Sequence, residues 1–257
     1  MGKVLVILPS LTEQKKISEI LSTWDEAVRI TQDLIIELKK RNNGLAQQLL
    51  SGRKRVKEFA GEWEEVKLGE ITQRVTRRNE ELDDTVVTIS AQRGFVRQED
   101  YFKKRVASET LSNYYLIHRG EYAYNKSYSN GYPMGAFKRL DSFDKAVVTT
   151  LYICFSLKED VDSNFINHFF DEGLLIPGLM KIAQEGGRAH GLLNISLNDF
   201  FSLKFNIPDI QEQEAISSIL HNADQELKLL KQKLEILLQQ KKGLMQKLLT
   251  GEIRVKI

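Results

Sequence analysis

The sequence is short of the residues on which covalent bracing and catalysis rest. A single cysteine, Cys154, excludes a disulfide within the chain and any cysteine-rich zinc site. It lies in the apolar, strand-like run Thr150 to Phe155, so a buried core thiol is expected there rather than a nucleophile or a ligand. The four histidines, His118, His168, His190 and His221, are scattered without metal-ligand spacing. Neither a G-x-x-x-x-G-K-S/T phosphate loop nor a G-x-G-x-x-G turn is present. None of the four prolines adjoins another, which excludes the Asn/Asp-Pro-Pro-aromatic motif of amino-methyltransferases. No cofactor and no enzyme activity are implied. Carboxylates brought together from distant positions, as in nuclease metal sites, are the one catalytic arrangement left open.

Long apolar runs are also missing. None approaches the ~20 residues of a membrane span, and no basic-then-apolar leader opens the chain, so the expectation is a cytoplasmic protein without a membrane partner. The net charge of +2 over 257 residues is no argument for a polyanion. Placement says more: Arg53-Lys54-Arg55, Arg77-Arg78 and Lys103-Lys104-Arg105 suit phosphates, although solvated turns explain each equally well.

What is present is a long helical segment written twice at one constant offset. Pro9 matches Pro208, Glu13-Gln14 matches Glu212-Gln213, Ile20-Leu21 matches Ile219-Leu220, Asp25 matches Asp224, Gly44-Leu45 matches Gly243-Leu244, and Gly52 matches Gly251. Ser10 with Glu13, and Asp209 with Glu212, read as N-caps followed by a glutamate that favours the positive helix end. Gly52 and Gly251 read as helix stops. Helices are therefore predicted over residues 10–51 and 209–250, each a rod of roughly 60 Å.

Ile17, Ile20, Leu21, Trp24, Val28, Leu34, Ile35, Leu38, Leu45 and Leu49 form an apolar stripe at three- and four-residue steps. Leu220, Leu237, Leu244 and their neighbours form another. Such a stripe needs a partner helix, and the other copy is the nearest candidate, with antiparallel pairing. Gly44 and Gly243 inside the pattern read either as points of close helix approach or as tolerated weak spots.

Between the rods the pattern changes to short strands at residues 85–89, 122–124, 135–137, 146–149 and 152–155, with helices at 163–172 and around 179–183, and another opened by Ser196 with Asp199. The fold class expected is α+β: one domain with a mainly antiparallel sheet over residues 59–205, flanked by helical regions 1–58 and 206–257. Val4 to Leu8 resemble the strand Leu203 to Ile207, each preceding a rod. Two loops suit recognition. Gln184 to Gly191 sets Arg188 and His190 among three glycines; Asn125 to Tyr132 offers Lys126, Ser127 and Asn130 beside aromatics. Ordinary polar turns explain both as well.

The Ile207 to Leu220 start, Ile-Pro-x-x-x-Glu-Gln-x-x-Ile-x-x-x-Leu, resembles the specificity subunits of Type I restriction-modification enzymes. So do the Gly243 to Gly251 end, Gly-Leu-Met-Gln-Lys-Leu-Leu-Thr-Gly, and the passage from Trp63 to Leu68-Gly69. The resemblance covers essentially the whole chain. It implies a non-catalytic subunit that reads double-stranded DNA at a bipartite site and holds methyltransferase subunits and, through them, restriction subunits. It also places DNA contacts at Arg93 in the turn Ser90 to Gly94, at Lys126, Ser127 and Asn130, and at Arg188 and His190. Family members usually carry two recognition domains, whereas one complete domain is found here. A homodimer on a symmetric, interrupted site is therefore expected, with half-sites about one to one and a half DNA turns apart and Val4 to Leu8 completing the partner's domain. The competing assembly is a monomer, or a pair with a different half-length chain on an asymmetric site. A coiled-coil adaptor without sequence-specific DNA binding explains only the rods, and a free-standing nuclease or methyltransferase explains none of these features.

Overall fold

The computed structural model describes residues 8–102, 110–129, 131–183 and 192–256. The strand expected at Val4 to Leu8 lies outside these, Leu8 excepted. Helix α1 (Leu11–Leu50) is followed by β1 (Glu64–Lys67), α2 (Leu68–Ile71), β2 (Thr72–Arg74), β3 (Val87–Ser90), β4 (Gly94–Arg97) and α3 (Gln98–Phe102). Then come β5 (Tyr115–His118), β6 (Tyr122–Asn125), β7 (Ala136–Arg139), β8 (Lys145–Val148) and β9 (Ile153–Leu157). The chain closes with α4 (Ser163–Asp171), α5 (Ile176–Ile182), α6 (Leu197–Phe201), β10 (Lys204–Ile207) and α7 (Ile210–Leu249).

The two long helices begin and end as their sequence directs. Ser10 Oγ accepts the Glu13 amide at 3.3 Å, and Asp209 Oδ1 accepts that of Glu212 at 2.9 Å. Past the other ends, Gly52 and Gly251 take φ of +70° and +76°, the left-handed turn a glycine enters without strain. The amides of Lys54 and Ile253 then reach back to the carbonyls of Gln48 and Lys247. The two glutamates do more than face the helix dipole. Arg254 binds Glu13 through two hydrogen bonds of 2.7 and 2.6 Å, and Arg55 binds Glu212 through two of 2.7 and 2.5 Å. Hydrogen bonding from Arg254 holds the Glu13 carboxyl below its ordinary range.

Contacts group the chain into two compact units, one drawn from residues up to Leu45 and from Ile219 onward, the other from Ala46–Ser218. Both expected segment borders, after residues 58 and 205, fall inside the second unit.

In the first unit α1 and α7 pair antiparallel. Arg41 meets Glu226, Asn42 donates to the Ala223 carbonyl at 2.8 Å, Asp25 meets Lys241 and Glu13 meets Arg254, so partner numbers fall on one helix as they rise on the other. Leu38 and Leu220 are buried on this seam; Leu21, Leu45, Leu237 and Leu244 are half-buried along it. The expected stripe needs one correction. Leu34 is 47% exposed, while Thr31 and Asn42 are each 7% exposed. Strict alternation of three- and four-residue steps from Ile17 selects Thr31 and Asn42 for the seam and turns Leu34 to its flank. Thr31 satisfies its hydroxyl on the Ala27 carbonyl at 2.7 Å. A Cβ added at Gly44 or Gly243 would meet nothing within 4 Å, so close helix approach does not explain either glycine. No helix among the described residues is long and apolar enough to cross a membrane.

The second unit is the α+β domain. Among the described residues the named strands all pair antiparallel: β1 with β10, β3 with β4, β5 with β8, and a four-stranded sheet in the order β2-β9-β6-β7. Strand alternation divides the central sheet's faces. Tyr122 stacks on Phe155 at 5.5 Å, Tyr124 on Phe137 at 4.5 Å, and Phe137 on Phe170 of α4 at 4.3 Å. Their neighbours Ala123, Ala136 and Cys154 join the other cluster, with Val87, Ile89, Phe95, Ile117 and Val148. Cys154 is the expected core thiol: it is 1% exposed, and burial pushes its pKa up to about 12.

Candidate nucleic-acid interface

One side of the domain is built around the β3–β4 hairpin. Ser90 pairs with Gly94 across its end, leaving Ala91, Gln92 and Arg93 as a three-residue tip, with Gly94 at φ +75° as such a loop requires. Ser90 Oγ accepts the Arg93 amide at 3.3 Å, which orders the tip from within. The base is held by Tyr152, whose hydroxyl accepts the Ile89 amide at 3.2 Å and shares a 3.1 Å hydrogen bond with Thr88 Oγ1. Tyr152→Phe leaves a buried amide without its acceptor and is expected to cost about 1–3 kcal/mol. A urea unfolding midpoint unchanged from the parent would mean that the hydroxyl does not hold the hairpin.

Beside the tip, Asn125 ends β6, and its side-chain oxygen accepts the Ser127 amide at 3.0 Å, an Asx turn that swings the following loop outward. The Lys126 carbonyl accepts the Leu193 amide at 3.0 Å, and Ser127 bridges to Leu192, which fastens this loop to the chain that follows residue 191.

Between hairpin and loop runs an open groove of about 640 Å³. Gln92, Arg93, Asn125, Ser127, Tyr128, Ser129 and Thr149 give it polar groups, and Tyr101, Phe102 and Leu151 give it apolar walls. The Arg93 guanidinium lies 5.9 Å from the Tyr101 ring centre, and Tyr101 meets Phe102 edge-on at 4.9 Å. Phe102 and Leu151 are 43% and 56% exposed, so the groove offers flat apolar surface to a partner as well as donors. Among the described residues no carboxylate pairs with Arg93 or Lys126. Such a wall of one arginine with amides, hydroxyls and aromatic rings suits phosphates and base edges.

The residues expected from sequence divide as follows. Arg93 and Ser127 share the groove. Lys126 is half-buried next to it and does not line it. Asn130, Arg188 and His190 lie outside the described residues, as does the basic cluster Lys103 to Arg105. Two other basic clusters have structural partners: Arg55 holds Glu212, Arg77 pairs with Glu121 at 3.1 Å, and Arg78 lies 5.1 Å from the Tyr115 ring centre. Tyr101, Phe102, Thr149 and Leu151 were not expected at a site. An aromatic pair running directly into a basic cluster was the available signal for the first two. No group of three or more metal-ligating side chains is found among the described residues.

Residues 60–239 match the model of the family described as Type I restriction modification DNA specificity domain. A putative type I restriction enzyme MjaX specificity subunit from Methanocaldococcus jannaschii is 25% identical over 285 residues, covering 97% of this chain and 59% of that protein. The type I restriction enzyme MjaVIII specificity subunit of the same organism is 24% identical over 278 residues, covering 98% of this chain and 63% of its own length. The crystal structure of an HsdS subunit from Thermoanaerobacter tengcongensis superimposes with a TM-score of 0.55 at 15% identity, over 96% of this chain and 61% of that one, a likeness of fold. The chain thus spans about three-fifths of the length of the relatives it matches.

Proposed function

The chain belongs to the Type I restriction modification DNA specificity domain family, and from that premise we propose that it is a non-catalytic subunit that reads double-stranded DNA for a Type I restriction-modification complex. It directs methyltransferase subunits, and through them restriction subunits, to a bipartite site. The observation that carries this reading is the convergence of Arg93, Gln92, Asn125 and Ser127 on one groove, where among the described residues no carboxylate pairs with the arginine. Arginine paired to guanine and glutamine or asparagine paired to adenine are the contacts that a hairpin tip can make in a major groove. Lys126 and, beyond the described residues, Asn130, Arg188 and His190 are proposed to extend the contact. An adaptor that binds only proteins has no use for such a groove.

Arg93→Ala and Lys126→Ala are each expected to weaken binding to the cognate site by about 1–3 kcal/mol. Loss at Arg93 should relax base preference; loss at Lys126 should lower the salt slope by about one while leaving preference intact. Equilibrium binding of cognate and scrambled duplexes over a salt series reads both effects. Unchanged affinity in the double variant would move the binding face elsewhere.

A bipartite site calls for a second recognition domain. A second copy of this chain supplies one on a symmetric target; a different chain supplies one on an asymmetric target. The first is the simpler assembly. Pairing of β1 with β10 along its whole length supports the second, because the place offered to a partner's Val4 to Leu8 is already taken. Light scattering of the free chain and methylation mapping of the assembled enzyme separate the two.

A further inference from the structure

The turn between β8 and β9 ties the groove to the core. Val148, which ends β8, is 0% exposed, and Ile153, which begins β9, is 3% exposed, so the chain leaves one sheet for another within four residues. It does so as a β-turn, in which the Tyr152 amide donates to the Thr149 carbonyl at 3.2 Å. Inside the turn Thr149 Oγ1 accepts the Leu151 amide at 3.3 Å, the short bridge a threonine makes to the residue two places on. Tyr152 then points inward, 8% exposed, and its hydroxyl holds Thr88 and Ile89 of β3. The turn that carries Leu151 and the hairpin that carries Arg93 are thus fixed to one another through a single ring.

One exposed leucine on a loop is ordinary. Leu151, however, lines the groove together with Tyr101 and Phe102, so three large exposed apolar side chains stand beside the polar groups of Gln92, Arg93, Asn125 and Ser127. A base pair shows the major groove donors and acceptors in every sequence, but only one apolar group, the C5 methyl of thymine, which sits next to the O4 acceptor. Leu151 and Thr149 match that pair of features. The leucine supplies apolar surface, and the Thr149 hydroxyl, which accepts the Leu151 amide, keeps its own proton to donate.

We propose that Leu151, positioned by Thr149, reads a thymine in the DNA half-site by covering the C5 methyl group of one A·T pair. The proposal deepens the DNA-recognition reading of the groove and rests on it. Tyr152 holds the turn and the hairpin together, so this thymine stands at a set step from the base that Arg93 meets. DNA-binding proteins also use apolar side chains as wedges pushed between base pairs from the minor groove. The groove favours the methyl contact, because the amides and the guanidinium beside Leu151 are the groups that pair with base edges in the major groove.

The test uses the full chain and duplexes carrying its target, found by methylation mapping of the assembled enzyme. Each thymine of the half-site, on either strand, is replaced in turn by deoxyuridine, which keeps O4 and the base pairing and lacks only the methyl. One replacement is expected to weaken binding about fourfold, the effect of one methyl group taken out of water. In Leu151→Ala that thymine and deoxyuridine should bind alike, with the parent urea midpoint kept because the side chain is exposed. Thr149→Ser retains the acceptor of the Leu151 amide and should retain the discrimination; Thr149→Val removes that acceptor and should lose it. A half-site without an A·T pair, or a discrimination that survives Leu151→Ala, would overturn the proposal. So would an equal loss on both duplexes in Leu151→Ala, the mark of a wedge or a backbone contact. A chain that binds cognate and scrambled duplexes alike sinks the recognition reading as well, whereas preference for the cognate duplex with deoxyuridine tolerated at every position sinks the methyl contact alone.

Discussion

Leu38→Asp should cost about 3–5 kcal/mol and separate the paired rods. Leu38 is 9% exposed on the seam, so a carboxylate there would be withdrawn from water. Adding Leu237→Asp deepens the loss by setting a second acid on the same seam. Leu34→Asp is the control: that side chain is already 47% exposed, so a change within about 1 kcal/mol is expected. Thermal melts of the three proteins decide the matter. Equal melting temperatures for Leu38→Asp and Leu34→Asp would mean that the stripe is not a buried seam.

That contrast marks what the sequence made legible. Caps, stops and a three-and-four repeat are local signals, so the helices fall within a residue of where they were expected. A stripe read through apolar residues alone passes over Thr31 and Asn42, polar residues in seam positions, and admits Leu34 in their place. In the domain, runs such as Ala146 to Val148 announce strands because both faces are buried. β2, with Gln73 and Arg74, and β4, with Arg97, carry too few apolar residues to do so. The groove was legible only in pieces. Residues 88–93, 101–102, 125, 127–129, 136, 149 and 151–152 meet through the pairing of β3 with β4 and the turn that leads into β9, and no local pattern records such a meeting.

A second large effect is expected at the helix start that the domain uses. Arg55→Ala should cost about 3 kcal/mol, because Glu212 is 0% exposed and would keep only the Trp63 indole as a side-chain donor. Adding Glu212→Gln should recover part of the loss, since a neutral amide is cheaper to bury than an unpaired carboxylate. The repeat provides the internal control. Arg254→Ala removes the same pair of bonds from Glu13, whose side chain is 3% exposed, but the Arg254 side chain is 67% exposed against 29% for Arg55, so water screens the contact more and a smaller loss is expected. Urea midpoints for the two arginine variants should therefore differ. Equal losses would show that burial by Trp63 adds nothing to the pair.

A leucine seam packs as well after a slide of seven residues as before it, so apolar contacts alone would let one rod creep along the other. Asn42 on the Ala223 carbonyl, Asp25 with Lys241, Arg41 with Glu226 and Glu13 with Arg254 are all lost together in such a slide. One heptad is roughly 10 Å of helix, the rise of about three base pairs. Four polar ties thus act as stops that fix which residues of one rod face which residues of the other, where an apolar stripe alone would leave the choice open to steps of seven.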